Sequence, residues 1–276
     1  MQTGYYSAAA GMVTQFNRLD TIANNLANVN TVGFKEDDVV VGDFMRVFKE
    51  SRDTLDNPND TKEAAAFINR TMTRTPQIVD SYTNQSLGTM QKTDNPLDVA
   101  LTQEGIFFAV KTPQGVRLTR DGSFTTNDEG KLVTKDGYEV LAASDDLKSV
   151  NPQGITLDNN YAMLKVDKNG QLSTNVPNGY KMVKGQQLFI AQPDNLKMLQ
   201  KEGSSLYKYE NITSLEPLDE SGAVKQGFLE KSNVNAVSMM TQMIETNRLV
   251  GMYQSAMDTQ MNEMNKDAIE KIASKA

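Results

Sequence analysis

The chain has 276 residues, of which 38% are apolar and 7% aromatic, and it carries a formal charge of −7. An acidic chain is poorly suited to binding the phosphates of a nucleic-acid duplex. Cysteine and histidine are both absent, which excludes disulfides, thiol nucleophiles, Cys- or His-ligated metal and the commonest general base.

Residues 3–33 form a first helical zone. Tyr5, Met12, Leu19 and Leu26 recur every seven residues, and Ala8, Ile22 and Val29 sit three residues after members of that series. The spacing predicts an a/d heptad seam, interrupted at Gln15, with Gly33 as a stop. An ordinary amphipathic helix on a globular core satisfies the same spacing. No Lys or Arg precedes Arg18, and Ala8-Ala9-Ala10 is too short for the apolar region of a secretory signal. The expectation is a cytosolic chain, or one exported by a route that removes nothing.

The stretch Asn24-Asn25-Leu26-Ala27-Asn28-Val29-Asn30 is notable because four of its residues are asparagine. Each costs roughly 0.6 kcal/mol relative to alanine inside a helix. Such a segment is expected to be marginal alone, because isolated helices are weak even with better residues. Asn24, Asn25, Asn28 and Asn30 are candidates to delay order until docking and then to select one docking register, since a slipped alignment leaves a buried amide unpaired. The alternatives are that some face water or cap the helix end.

Residues 36–75 are mixed. Val39–Phe48 suits a strand or a short helix, residues 51–63 a polar loop around Asn57-Pro58-Asn59, and residues 64–72 a short helix. Residues 76–233 are rich in β signals. "GIFFAV" (105–110), "VRLTRDGSFTT" (116–126), "NDEGKLVTKDGYEVLAA" (127–143), "MLKVDKNGQLS" (163–173) and "QQLFIA" (186–191) are short apolar or alternating runs parted by Gly, Asn and Asp. They predict antiparallel meanders in an irregular β domain with a sandwich or barrel-like core.

A second helical zone spans residues 234–276. Val237, Met240 and Ile244 begin a stripe that Tyr253, Met257, Met261, Met264, Ala268 and Ile272 continue at steps of three and four, with Asp267 and Lys271 as an i,i+4 pair. About 40 helical residues would be roughly 60 Å long. The fold class is therefore α+β: long terminal helices (1–35 with 234–276), a connecting region (36–75) and a β-rich middle (76–233). Two helices cannot fully cover each other, so part of each apolar face is expected to meet other molecules.

"DKNGQLS" and "NDEGKLVTKDG" superficially suggest calcium loops. Placing Gly170 or Gly130 at the sixth loop position puts Lys165 and Pro177, or Thr125 and Asp136, at the terminal ligand positions. Both fit hairpin turns better. The adjacent carboxylates Asp37-Asp38, Asp145-Asp146 and Asp219-Glu220 read as solvated surface charge. Seven of the fifteen methionines lie between Met239 and Met264. They suit either a Met-filled core or a surface that must pack in several slightly different settings.

The segment "LDTIANNLANVNTVGFK" (19–35), with "GYYSAAAGM" (4–12) upstream, closely resembles the N-terminal signature of the flagellar rod and hook protein family. "NPLDVALTQEGIFFAV" (95–110) and "LTRDGSFTTNDEGKLVTKDGYEVL" (118–141) resemble its core signatures, and "QGFLEKSNVNAVSMMTQMIETNR" (226–248) its C-terminal one. Both ends and about half of the middle are covered, in the family's order. The chain length resembles a rod component. The residues after "ETNR" depart from the Arg-aromatic-Glu-x-Asn pattern of distal-rod members, which favours the proximal type, although the N-terminal signature is nearer the distal form.

The resemblance implies a non-enzymatic axial subunit without cofactor or metal. It implies export unfolded through the flagellar type III apparatus without cleavage. It further implies helical homo-oligomeric assembly with other rod proteins across the periplasm, and torque transmission by a tube whose wall is built from the terminal helices. The implied interface residues are Tyr5, Met12, Leu19, Ile22, Asn24, Asn25, Leu26, Asn28, Val29, Asn30, Val237, Met240, Ile244, Tyr253, Met257, Met261 and Met264. Stable membrane insertion and nucleic-acid partners are not implied. The alternatives are a distal-rod or hook-type subunit, or a soluble β-rich carbohydrate-binding protein.

Overall fold

The computed structural model describes residues 2–43, 76–143, 154–157, 164–175, 182–211, 215 and 222–273. The expected loop at 51–63 and helix at 64–72, and the pairs Asp145-Asp146 and Asp219-Glu220, lie outside the described residues. So do the side chains of Asp267, Ala268, Lys271 and Ile272. The chain forms two compact units: residues 1–27, 37–82 and 235–276 make a helical unit, and residues 28–36 and 83–234 a β unit. The fold is α+β, as the sequence predicts.

In the helical unit, α1 (Gln2–Ala27) is followed by strand β1 (Asp37–Asp43), which pairs with β2 (Pro76–Thr83). The region around Val39 is thus a strand as far as it is described. The unit closes with α2 (Ala236–Ala273), 38 residues and proline-free. Asn235 caps its start, its Oδ1 accepting from the amides of Val237 and Ser238 at 3.0 and 3.2 Å.

Helix α1 ends at Ala27, not at residue 33. Thr31 N donates to Asn28 O at 3.1 Å, Thr31 Oγ1 to Asn28 Oδ1 at 3.1 Å, and Phe34 N to Thr31 O at 3.4 Å, while Gly33 adopts φ +70°. Asparagine side chains compete for backbone groups and favour such turns over helix. Residues 28–36 then belong to the β unit instead of extending the helical zone.

The β unit begins with β3 (Met90–Lys92), β4 (Val99–Leu101), β5 (Phe107–Thr112) and β6 (Gly115–Thr119), then the short β7 (Thr125–Thr126), β8 (Leu132–Val133) and β9 (Glu139–Val140). β10 (Lys165–Val166), β11 (Gln171–Asn175) and β12 (Met182–Gln187) form a separate three-stranded sheet. β13 (Ile190–Ala191), β14 (Gln200–Gly203) and β15 (Leu206–Lys208) join the large sheet, whose order is β14-β15-β6-β5-β9-β8-β7 with β13 also on β5. β16 (Val224–Gln226) pairs with β4, and β17 (Phe228–Glu230) with β3, both antiparallel.

The run "GIFFAV" is uninterrupted because β5 is buried on both faces. Phe108 and Val110 enter one apolar cluster, and Phe107 and Ala109 another. The two suspected calcium loops are hairpin turns. Gly130 N donates to Asn127 O at 3.0 Å with φ +74°, between β7 and β8. Gly170 N donates to Asp167 O at 2.9 Å with φ +76°, between β10 and β11.

Gly122 behaves differently. Its carbonyl accepts from Val99 N at 3.0 Å, and a Cβ on it would lie 1.6 Å from Val99 O. Here glycine admits a neighbouring backbone instead of making a turn. Gly122→Ala should therefore destabilise the β unit by at least about 2 kcal/mol. Gly251→Ala, on α2 where a Cβ meets nothing within 4 Å, should stabilise by about 0.5–1 kcal/mol. Urea unfolding of the two variants should give shifts of opposite sign.

Candidate assembly surface

The helices α1 and α2 run antiparallel. Gly4 lies against Gln260, Gly11 against Tyr253, and Asn25 against Met239, so facing residue numbers fall on one as they rise on the other. Burial marks the contact. On α1, Ala8, Gly11, Gln15, Ile22 and Asn25 are buried. On α2, Met239, Thr246 and Val250 are buried, while Met243, Tyr253, Met257, Gln260 and Met264 are half-buried between them at steps of four and three. This is heptad packing within one chain.

The seam is rotated from the one the apolar spacing predicts. Ile22 lies at its centre, but Tyr5, Met12, Leu19 and Leu26 are only half-buried and flank it. Gly4 and Gly11 take the central places. A Cβ on Gly11 would lie 2.5 Å from the Tyr253 ring, so the missing side chain makes room for that ring. On α2, Tyr253, Met257 and Met264 are half-buried along the intramolecular seam, whereas Val237, Met240, Ile244 and Met261 are exposed. The residues missed were Gly4, Gly11, Met239, Thr246 and Val250. The four–three stepping of Met239, Met243, Thr246, Val250 and Tyr253 was present in the sequence, but small and polar residues carry no hydrophobic signal.

The asparagines separate into distinct roles. Asn25 is buried, its Nδ2 donating to Asp37 O at 2.7 Å while its Oδ1 accepts from Asp37 N at 3.0 Å. Its amide thus pins the first residue of β1 to α1. Both hydrogen-bonding groups of the Asn25 amide are engaged within the chain. Asn28 and Val29 are half-buried and Asn30 is exposed, all three in the turn after α1; Asn24 is exposed on the helix.

The β unit holds a second constellation. Glu230 on β17 is buried with Lys35 and Arg120. Lys35 Nζ donates to Glu230 Oε1 at 2.7 Å and to Ser86 O at 2.6 Å. Arg120 Nε donates to Glu230 Oε2 at 2.9 Å, with Nη2 2.7 Å from the same oxygen. Gly88 N adds a bond to Oε1 at 2.9 Å. Arg120 Nη1 is satisfied by the carbonyls of Gln103 and Ile106. Around Lys35, Gly33 N donates to Glu230 O, Lys201 Nζ donates to Lys35 O at 2.6 Å and stands 4.3 Å from the Phe34 ring centre, and Glu36 N donates to Asn233 Oδ1.

Burial, and after it Arg120, hold the Lys35 amine below its ordinary range, while Glu230 pulls it upward. The arrangement is structural: a carboxylate that accepts from two cations and an amide and thereby joins three distant segments. Sequence reading overlooked it, although each charge sits beside apolar residues inside a quoted motif.

Three family models match, each contributing one member of this cluster: "Flagella basal body rod protein" over residues 6–35, "Flagellar hook protein FlgE/F/G D1 domain" over 103–174, and "Flagellar basal body rod FlgEFG protein C-terminal" over 225–270. The chain is 32% identical to the flagellar basal-body rod protein FlgF of Caulobacter vibrioides, over 99% of its own length and 98% of the relative's. It belongs to the flagellar basal-body rod protein family.

The chain is also 33% identical to the rod protein FlgG of Bacillus subtilis, over 90% of this chain and 91% of that one. It is 29% identical to the flagellar hook-basal body complex protein FlhP of the same organism, over 84% and 85%. This rod protein is thus a structural subunit of the flagellar basal-body rod. Among its described residues no helix is long and apolar enough to cross a membrane.

Glu230→Gln should destabilise the β unit of the rod protein by about 3–5 kcal/mol, because two buried cations lose their counter-charge; denaturant unfolding measures this. For Lys35 the folded state binds its proton less tightly than the unfolded chain does. Stability attributable to it therefore rises with pH, between its lowered folded value and the ordinary 10.5, by at most about 1.4 kcal/mol per pH unit. The stability difference between wild type and Lys35→Met should climb across that window and level off above it.

Proposed function

We propose that this rod protein is an axial subunit of the proximal-rod type. It assembles helically with copies of itself and with other rod proteins into a hollow shaft that crosses the periplasm and carries torque to the hook. In this reading the helical units bundle into a coiled-coil-like tube and the β units pack outside it. The chain is exported unfolded by the flagellar type III apparatus without loss of a leader. The proximal assignment is supported by the residues after "ETNR", which lack the distal-rod pattern.

The observation that carries the assembly reading is that the two helices cover each other on one side only. Tyr6, Val13 and Phe16 on α1 and Val237, Met240 and Ile244 on α2 stay exposed, and apolar surface of this kind on a monomer marks an interaction site. The half-buried Tyr5, Met12, Leu19, Leu26, Tyr253, Met257 and Met264 flank the intramolecular seam, where neighbouring helices would complete their burial. Methionines among them suit contacts that shift under torsional load. Asn24, Asn28, Val29 and Asn30, at and beyond the end of α1, would meet neighbours or the lumen. Outside an assembly the terminal helices pack on each other and, through Asn25 and Thr14 of α1, on the short pair β1–β2, a small unit that fits a chain exported unfolded.

In a flagellated cell expressing a tagged copy, the protein should copurify with isolated basal bodies after the filament is sheared away. Leu26→Asp should abolish that incorporation and motility. Wild-type protein absent from washed basal bodies, or full motility of the Leu26→Asp strain, would contradict the reading.

A further inference from the structure

Residues 28–36 are the part of the β unit that stands ahead of residue 83 in the chain, and they are fastened to its far end. Gly33 N donates to Glu230 O at 2.9 Å, and Glu36 N to Asn233 Oδ1 at 2.8 Å. Lys35 Nζ reaches Glu230 Oε1, 195 residues away. β17, which carries Glu230, lies beside β3, and β16 beside β4, so the last strands of the unit close on its first. The segment also makes contacts that are independent of β17. Glu36 O accepts from Asn84 N at 2.8 Å and Lys35 O from Lys201 Nζ at 2.6 Å, while Lys35 Nζ donates to Ser86 O.

The charges decide whether those contacts can form alone. Lys35, Arg120 and Glu230 are each 1% exposed. If residues 28–36 docked before β17, two cations would be buried together with neutral acceptors alone: Ser86 O for Lys35, and the carbonyls of Gln103 and Ile106 for Arg120. Carbonyls do not cancel a charge, and an ion buried without its counter-ion is strongly disfavoured. Arg120 moreover repels the Lys35 ammonium. Glu104 attracts that ammonium too, but less than Glu230 does and from an exposed position. Lys35 therefore stays in water, and keeps its segment there, until the Glu230 carboxylate arrives.

We infer that Glu230 is a completion latch: residues 28–36, and with them the thread leading out of α1, dock in the β unit no earlier than β17 pairs with β3. A growing chain presents its N-terminal part first, so this thread stays unfastened until nearly the whole β unit is available. A latch made of charge is selective. An apolar residue at position 35 would settle on any apolar surface of an incomplete unit, whereas a lysine beside an arginine accepts only a partner that brings a carboxylate. The latch belongs to the β unit alone and holds whatever place the chain takes in the rod.

Two amides report the two events separately. Asn84 N, bonded to Glu36 O, reports docking of the segment; Lys231 N, bonded to Thr89 O at 2.9 Å, reports the pairing of β17. Full-length protein would be refolded from urea, pulsed with deuterium exchange at successive times and read amide by amide by nuclear magnetic resonance. In the wild type, Asn84 should gain protection together with Lys231 or after it. In Lys35→Met/Arg120→Met/Glu230→Leu, where apolar side chains replace the three charges, the order should reverse, with Asn84 protected at least about tenfold sooner than Lys231.

Protection of Asn84 ahead of Lys231 in the wild type would overturn the inference, and that arm decides by itself where the triple variant does not fold. A folded triple variant that keeps the wild-type order would overturn it as well, because the order would then come from the path of the chain and not from its charges.

Discussion

Glu230 holds together parts of the chain that are far apart in sequence. Its partners Lys35 and Arg120 are 195 and 110 residues away. Burying three charges is costly, and the cost is offset here because Oε1 accepts from Lys35 and Gly88, Oε2 accepts from Arg120 Nε with Nη2 in ion-pair contact, and Arg120 Nη1 donates to two carbonyls. Lysine and arginine are not interchangeable in such a setting. The planar guanidinium reaches one carboxylate oxygen through two nitrogens, while the ammonium splits its donors between the other oxygen and Ser86. The segment after α1 is consequently part of the β unit, fastened by Gly33, Lys35 and Glu36 to β17 and the residues beyond it. The compact units therefore interleave along the chain, residues 28–36 belonging to one and 37–82 to the other.

The helical unit has a different economy. Its intramolecular seam is made of glycine, alanine, threonine, glutamine and asparagine as much as of methionine and valine. Gly4 and Gly11 leave room for the Gln260 and Tyr253 side chains of α2, and several larger apolar side chains are left at the flanks and on the outward faces. A helix pair built this way is held together modestly and keeps adhesive surface in reserve. That combination suits a structural subunit of the flagellar basal-body rod. Asn25 adds order of another kind: it fills a helix position with a poor helix former because its amide matches the backbone of Asp37 in both directions.

Much of this was legible in the residues. The two helices were visible from their periodicity, the hairpins at Gly130 and Gly170 from their turn chemistry, and the doubly buried β5 from its unbroken apolar run. The family was visible from motifs spread across both ends and the middle. Each of these is written locally, in spacings of two, three, four or seven residues and in the conformational freedom of glycine. The end of α1 was misplaced by several residues because Val29 prolonged the apolar rhythm, while the asparagines and Gly33 had already turned the backbone.

What the sequence could not express was which distant segments meet. The stripe of α1 that faces α2 includes glycines that make room for the Gln260 and Tyr253 side chains and contribute nothing to hydrophobic periodicity. That Lys35, Arg120 and Glu230 converge, and that Asn25 clasps Asp37, depends on the path of the whole chain. By itself the sequence determined the secondary structure, the fold class and the family, since these follow from local preference and from motifs. Only the tertiary structure decided the seam, the unit boundaries and the buried ion cluster, because a contact between residues 200 positions apart leaves no periodic trace in either.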